Sequence, residues 1–140
     1  MPNGDRFCSD IETGVIYQRS TVAIGDISDG TSNTYLLGEK YVSREMYTTG
    51  ADNGDDQSMY VGYDLDVNRW TQNDPVAPYT PLRDRRGLEQ YYRFGSAHPG
   101  ACNFVFCDGS VRSVSYTIDP EIHRRLGNRS DGQPVDSSRF

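Results

Sequence analysis

Two histidines, three cysteines and one concentration of acidic side chains are the groups with which this chain can do chemistry. His98 precedes Asp108 with nine residues between them, and Glu39 is a second carboxylate that a histidine or an arginine can reach. A hydrolase centred on His98 and Asp108 would also need a nucleophile with a positioned base. No Gly-x-Ser-x-Gly elbow is present. Cys107 adjoins Asp108 but has no cationic neighbour in sequence to lower its pKa. The residue types favour a structural His98, set in extended geometry by Pro99 and bonded to a backbone carbonyl or to the Asp108 side chain. His123 reads as a solvated helix residue, and the sequence supports no enzyme.

Asp52, Asn53, Asp55 and Asp56 crowd around Gly54, with Asp64 and Asp66 as further oxygen donors. Calcium takes six to eight hard oxygen ligands, which makes this loop the candidate metal site and calcium the one cofactor suggested. It is not an EF-hand, because position 12 counted from Asp52 is Tyr63 where a bidentate Glu is needed. A solvated acidic loop is the competing reading. With Tyr60, Tyr63 and Trp70 nearby, the calcium reading extends to a calcium-dependent glycan- or protein-binding module. Neither the cysteine spacing nor the lone histidines suit zinc. Cys102 and Cys107 on one strand would stand roughly 16 Å apart at ~3.3 Å per residue, too far for a mutual disulfide.

The elements that must carry these groups centre on a β-hairpin. Asn103 to Cys107 is a β-forming run, Asp108-Gly109 is a two-residue turn signal, and Ser110 to Tyr116 returns. A strict two-residue turn sets Phe106 opposite Val111, whereas an Asp108-Gly109-Ser110 loop shifts each partner by one. Phe104 and Phe106 share the core face in both. Strands are also expected over Gly14 to Ala23, Thr34 to Val42, Met59 to Tyr63 and Leu65 to Trp70, with a turn-rich loop pivoting on Asp29-Gly30 between the first two. Gly38 inside a strand signals a bulge or a close backbone approach. Pro75, Pro78 and Pro81 make Thr71 to Gln90 a long connection and the partner-facing segment.

One helix is well signalled: Asp119 as N-cap, Pro120 in the first turn, Arg124 and Arg125 at the C-terminal end, and Gly127 as the stop. Ile118, Ile122 and Leu126 recur every four residues and should pack on the hairpin. Val135 and Phe140 can tie down the tail. The fold class is α+β, mainly antiparallel β, with a C-terminal hairpin and one short helix, in a single domain spanning residues 1–140.

Leu, Ile, Val and Phe together supply only 27 of 140 residues, and ten tyrosines make up the shortfall in core area. A net charge of −6 and a pI near 4.8 disfavour a nucleic-acid surface. No apolar run approaches the ~18 residues of a membrane span, so this chain as given is expected neither to insert in a membrane nor to bind nucleic acid.

His98, nine residues and Asp108-Gly109, preceded far upstream by Asp29-Gly30-Thr31-Ser32-Asn33-Thr34 and Gly38-Glu39, resemble the two recurrent motifs of a bacterial prepilin-type, pseudopilin-like family of unknown function. The similarity continues through Asn53 to Tyr60 and Arg124 to Gln133. The resemblance implies a pilin-head-like fold held by Asp29, Gly30, Ser32, Asn33, Gly38, Glu39, His98, Asp108 and Gly109. It also implies a location in the cell envelope or outside it, and a non-enzymatic subunit that self-assembles or binds protein partners, as a filament component or in association with secretion. An oxidising setting makes Cys8 with Cys102 or Cys107 the candidate disulfide. Family members typically begin with a prepilin motif and an apolar helix, whereas Met1-Pro2-Asn3-Gly4 is polar. The chain therefore reads as a fragment, a processed form or a short relative, the C-terminal part of such a head.

Overall fold

The computed structural model describes residues 12–136. Five strands and one helix follow in order: β1 (Tyr35–Gly38), β2 (Leu82–Arg83), β3 (Gly95–Ser96), β4 (Ala101–Phe106), β5 (Val111–Ser115) and α1 (Pro120–Leu126). The main sheet is antiparallel in the order β1-β4-β5, and β2 pairs with β3 in a short parallel ladder. A Lys40–Phe94 bridge links the end of β1 to the entry of β3. Three 3-10 turns, Ile24–Asp26, Thr31–Asn33 and Arg44–Met46, complete an α+β fold.

The hairpin forms, in a register neither expectation gave. Val105 faces Val111, and the Phe106 amide donates to the Ser110 carbonyl at 2.9 Å, leaving Cys107-Asp108-Gly109 as a three-residue loop. Gly109 alone takes positive φ, at 84°, so Asp108 is spared the left-handed conformation, and its side chain accepts the Ser110 amide at 2.8 Å. The core selects this pairing: it sets Val114 against Cys102, both fully buried, on the side that carries Phe104 and Phe106. Arg112 lies on that same face and spreads its guanidinium over the Phe106 ring at 4.4 Å.

Helix α1 begins and ends as its residues dictate. Asp119 accepts the Glu121 and Ile122 amides at 2.8 and 3.1 Å, Pro120 fills the first position, and Gly127 closes the end. Ile118, Ile122 and Leu126 are buried with Tyr35, Cys102, Phe104, Phe106, Val114 and Val135 in one core. Phe140 lies outside the described residues.

Three expected strands are absent. Gly14 to Ala23 is broken by Arg19, whose φ of 62° turns the chain, while Ser20 Oγ donates back to the Val15 carbonyl at 2.7 Å. Met59 to Tyr63 and Leu65 to Trp70 are turns instead: the Asp64 carbonyl gathers the Val67 and Asn68 amides at 3.2 and 3.0 Å and the Asn68 side-chain amide at 2.9 Å. Thr34 to Val42 shortens to β1, with a bulge between Tyr35 and Leu37.

Candidate functional site

The two sequence motifs meet on the backbone of the hairpin. Carbonyls of Thr31 and Thr34 accept the amides of Asp108 and Cys107 at 3.1 and 2.9 Å, so the first motif grips the loop of the second. Within the grip, Asn33 donates to the Asp29 carbonyl at 3.0 Å and Thr34 to that of Gly30 at 3.1 Å, across a Gly30 whose φ is 99°. Ser32 sits half-buried in the same 3-10 turn. The Asp29 carboxylate is buried and turns the other way, accepting the Asp131 and Gly132 amides at 2.7 and 2.9 Å and so fastening the C-terminal segment.

Glu39 works in the same manner at the other end of β4. Its Oε2 accepts the Asn103 amide at 2.6 Å and its Oε1 lies 3.2 Å from His98 Nε2. Gly38, just before it, lies under two rings: a Cβ there would come within 2.6 Å of Phe104 and 2.7 Å of Phe94. His98 does not meet Asp108. The imidazole is more than half exposed, its partner is Glu39, and Asp108 pairs with Arg112 at 3.6 Å. The six residues of β4 stand between them.

The acidic loop encloses cations supplied by the chain. Lys40 Nζ reaches Asp55 Oδ1 at 2.6 Å and the carbonyls of Gly54 and Asp66 at 2.9 and 3.0 Å. Arg69 donates to the carbonyls of Leu65, Asn68 and Gly54. Burial pulls the Arg69 pKa down to about 10, against the upward pull of Asp52, Asp66 and Asp55. Asp52 is buried with its carboxylate on the Ser43 and Gly54 amides at 2.8 and 2.9 Å. Buried Asp66 takes the Gln57 amide at 2.7 Å, whereas Asn53 and Asp56 face solvent. Among the described residues, no three of His, Cys, Asp and Glu converge as a metal-binding group.

Cys102 is buried and Cys107 half-buried, both as free thiols, and Cys8 lies outside the described residues. Burial pushes both thiols up in pKa, reinforced at Cys102 by Glu39 and Asp84 and at Cys107 by Asp108, which favours the protonated form of each. Tyr60 is 87% exposed, while Tyr63 and Trp70 are half-buried.

His123, expected in solvent, is fully buried among Tyr35, Phe94 and Phe104, with Nδ1 at 3.2 Å from the Tyr35 hydroxyl. Burial first, and Arg93 second, lower its pKa to about 3, so a neutral imidazole is part of the core. Its neighbour Ile122 and the following Leu126 mark the buried side of α1, and at about 100° per residue position 123 lies just beyond Leu126, at the edge of the same arc. Tyr47 and Asp84 form a second polar pair that the sequence does not announce. The Tyr47 hydroxyl donates to Asp84 at 2.5 Å, and burial together with this carboxylate pushes Tyr47 up to about 12.

Residues 9–121 match the model of the SBP_bac_10 family, described as a protein of unknown function (DUF1559). No curated protein and no solved structure matches the chain. A match covering most of the sequence, on a fold in which both motif regions converge on one hairpin, places this chain in the DUF1559 family, which is associated with prepilin-like proteins.

Proposed function

We propose that this chain is a non-enzymatic structural or assembly subunit of the cell envelope or exterior, pseudopilin-like in role, that works by presenting a rigid scaffold to protein partners or to further copies of itself. The observation that carries this reading is how the motif carboxylates are used. Asp29 and Glu39 each accept backbone amides from distant segments, Asp131 and Gly132 in one case and Asn103 in the other, so their hydrogen-bonding capacity goes into holding the fold. The surfaces left for partners are the exposed side chains of edge strands β1 and β5, with Leu37 and Val111 at 55% and 66% exposure, and the proline-containing connection, where Val76 is 94% exposed.

Light scattering over a concentration series from micromolar to millimolar tests self-assembly. The expected result is a concentration-dependent rise in mass that Leu37→Lys or Val111→Lys suppresses. A strict monomer throughout removes self-association from the proposal and leaves heterologous partners, which site-specific photo-crosslinking from position 76 in the producing cell would trap.

A further inference from the structure

We propose that a cleft between Trp70 and the C-terminal end of α1 binds a neutral oligosaccharide, without any metal. The cleft has a volume of about 510 Å³, inside the ~300–1,000 Å³ range of small-ligand sites. Two aromatic side chains, Tyr63 and Trp70, line it together with the amides of Asn68, Gln72 and Asn73 and the Thr71 hydroxyl. Flat rings cover the C–H faces of a pyranose, while amides and hydroxyls both donate and accept, matching the alternating demands of sugar hydroxyl groups.

The walls are fixed before any ligand arrives. Arg129 ties the strap at residues 12–14 by donating to the Glu12 and Gly14 carbonyls at 2.6 and 2.7 Å. The Asn73 side chain donates to Glu121 of α1 at 3.2 Å, and the Gln72 carbonyl is held by the Tyr79 amide at 2.8 Å. Binding to such a site loses little conformational entropy. Gln72 is exposed and stands at the rim of the cleft.

Charge decides the kind of sugar. The charges of the two cationic side chains lining the cleft are already met, that of Arg69 by the nearby Asp52, Asp66 and Asp55 while it donates to three carbonyls, and that of Arg124 by Glu121 at 2.8 Å and Asp131 at 3.0 Å. The carboxylate in the lining, Glu12, adds negative charge. A uronic acid or sulfate would find no available counter-charge, so neutral sugars fit best. The cleft shares Tyr63 and Trp70 with the calcium-dependent module that the sequence suggested, but Tyr60 and the acidic residues Asp52, Asp55 and Asp56 do not line it, so this site calls for no calcium. It is likewise independent of the assembly role.

Trp70 is the only tryptophan in the chain, so tryptophan emission follows this one side chain, which lines the cleft and a smaller neighbouring one with Tyr63, Asp64 and Leu65. The experiment titrates the protein with neutral tetrasaccharides of glucose, mannose and N-acetylglucosamine, and with tetragalacturonate, in EDTA. A saturable change in Trp70 emission with at least one neutral tetrasaccharide is expected. Gln72→Ala should weaken that binding about fivefold, the loss of one neutral hydrogen bond, and Tyr60→Ala should leave it unchanged. No change with any neutral sugar at millimolar concentration, a response to tetragalacturonate alone, a requirement for calcium, or full affinity in Gln72→Ala would each overturn the assignment. Gln72 is exposed, so its replacement does not threaten folding, and an unchanged melting temperature verifies that.

Discussion

Glu39 holds two partners with one carboxylate: Oε1 lies 3.2 Å from His98 Nε2 and Oε2 accepts the Asn103 amide at 2.6 Å. The two bonds differ in worth. His98 is largely in water, where an ion pair contributes ~0–1 kcal/mol, whereas the Asn103 amide lies in the sheet and has nowhere else to turn. Glu39→Ala is expected to cost about 1–3 kcal/mol of unfolding free energy and His98→Ala less than about 1 kcal/mol, with Glu39→Gln recovering part of the loss. Denaturant melts of the three variants measure this. A larger loss from His98→Ala would make the imidazole, and not the amide, the reason for the carboxylate.

The buried His123 sets an acid limit on stability. Its folded pKa, about 3, lies below the ordinary 6.5, so between those values the unfolded chain binds more protons than the folded one. Stability from this group is complete above pH 6.5 and is lost as pH falls toward 3, with a slope approaching about 1.4 kcal/mol per pH unit. His123→Phe keeps a ring in the core but cannot titrate. It should be less stable at pH 7, because the Tyr35 hydroxyl loses its partner, yet flatter between pH 6 and pH 4. Parallel pH profiles for the two proteins would show that other groups govern acid unfolding.

Gly38→Ala should destabilise by about 1–3 kcal/mol or more, since the new methyl falls within 2.7 Å of both Phe104 and Phe94. Adding Phe94→Leu opens space on one side and should return part of the loss. If the double variant is less stable than the sum of the single changes, the clash is not the cause.

Lys40 provides the charge around which the acidic loop closes, which bears directly on calcium. Thermal unfolding in EDTA and in millimolar calcium should coincide for the native protein, because calcium raises the midpoint only if it binds the folded state. Lys40→Met should lower stability by about 1–3 kcal/mol through the unpaired Asp55 carboxylate and two released carbonyls. A calcium-dependent rise of several degrees in the native protein would instead support the metal reading of Asp52, Asn53, Asp55 and Asp56.

What could be read from the chain and what could not divide by sequence distance. Asp119, Pro120 and Gly127 act on neighbours within one turn, so α1 was legible to its ends. The Asp108-Gly109 turn was legible too, but its register depended on Val114 meeting Cys102 in the core, a choice no local rule makes. Gly14 to Ala23 shows why apolar content alone misleads: its residues suit a strand, yet Arg19 turns the chain and the adjoining segment is tied by the Arg129 side chain instead of a ladder. The cation sites were hidden for the same reason. Lys40 finds Asp55 and the Asp66 carbonyl fifteen and twenty-six residues away.

Lys40 is also the only lysine among 140 residues; the other thirteen of the fourteen Lys and Arg side chains are arginines. Three oxygens engage its ammonium. Amine-directed acylation therefore has a single side-chain target, and the reagent must first displace that target from its knot. Interfaces of this protein will go unseen by lysine cross-linkers and are better mapped through carboxylates or arginines. The slow acylation of Lys40 becomes instead a clock for how often the acidic loop opens.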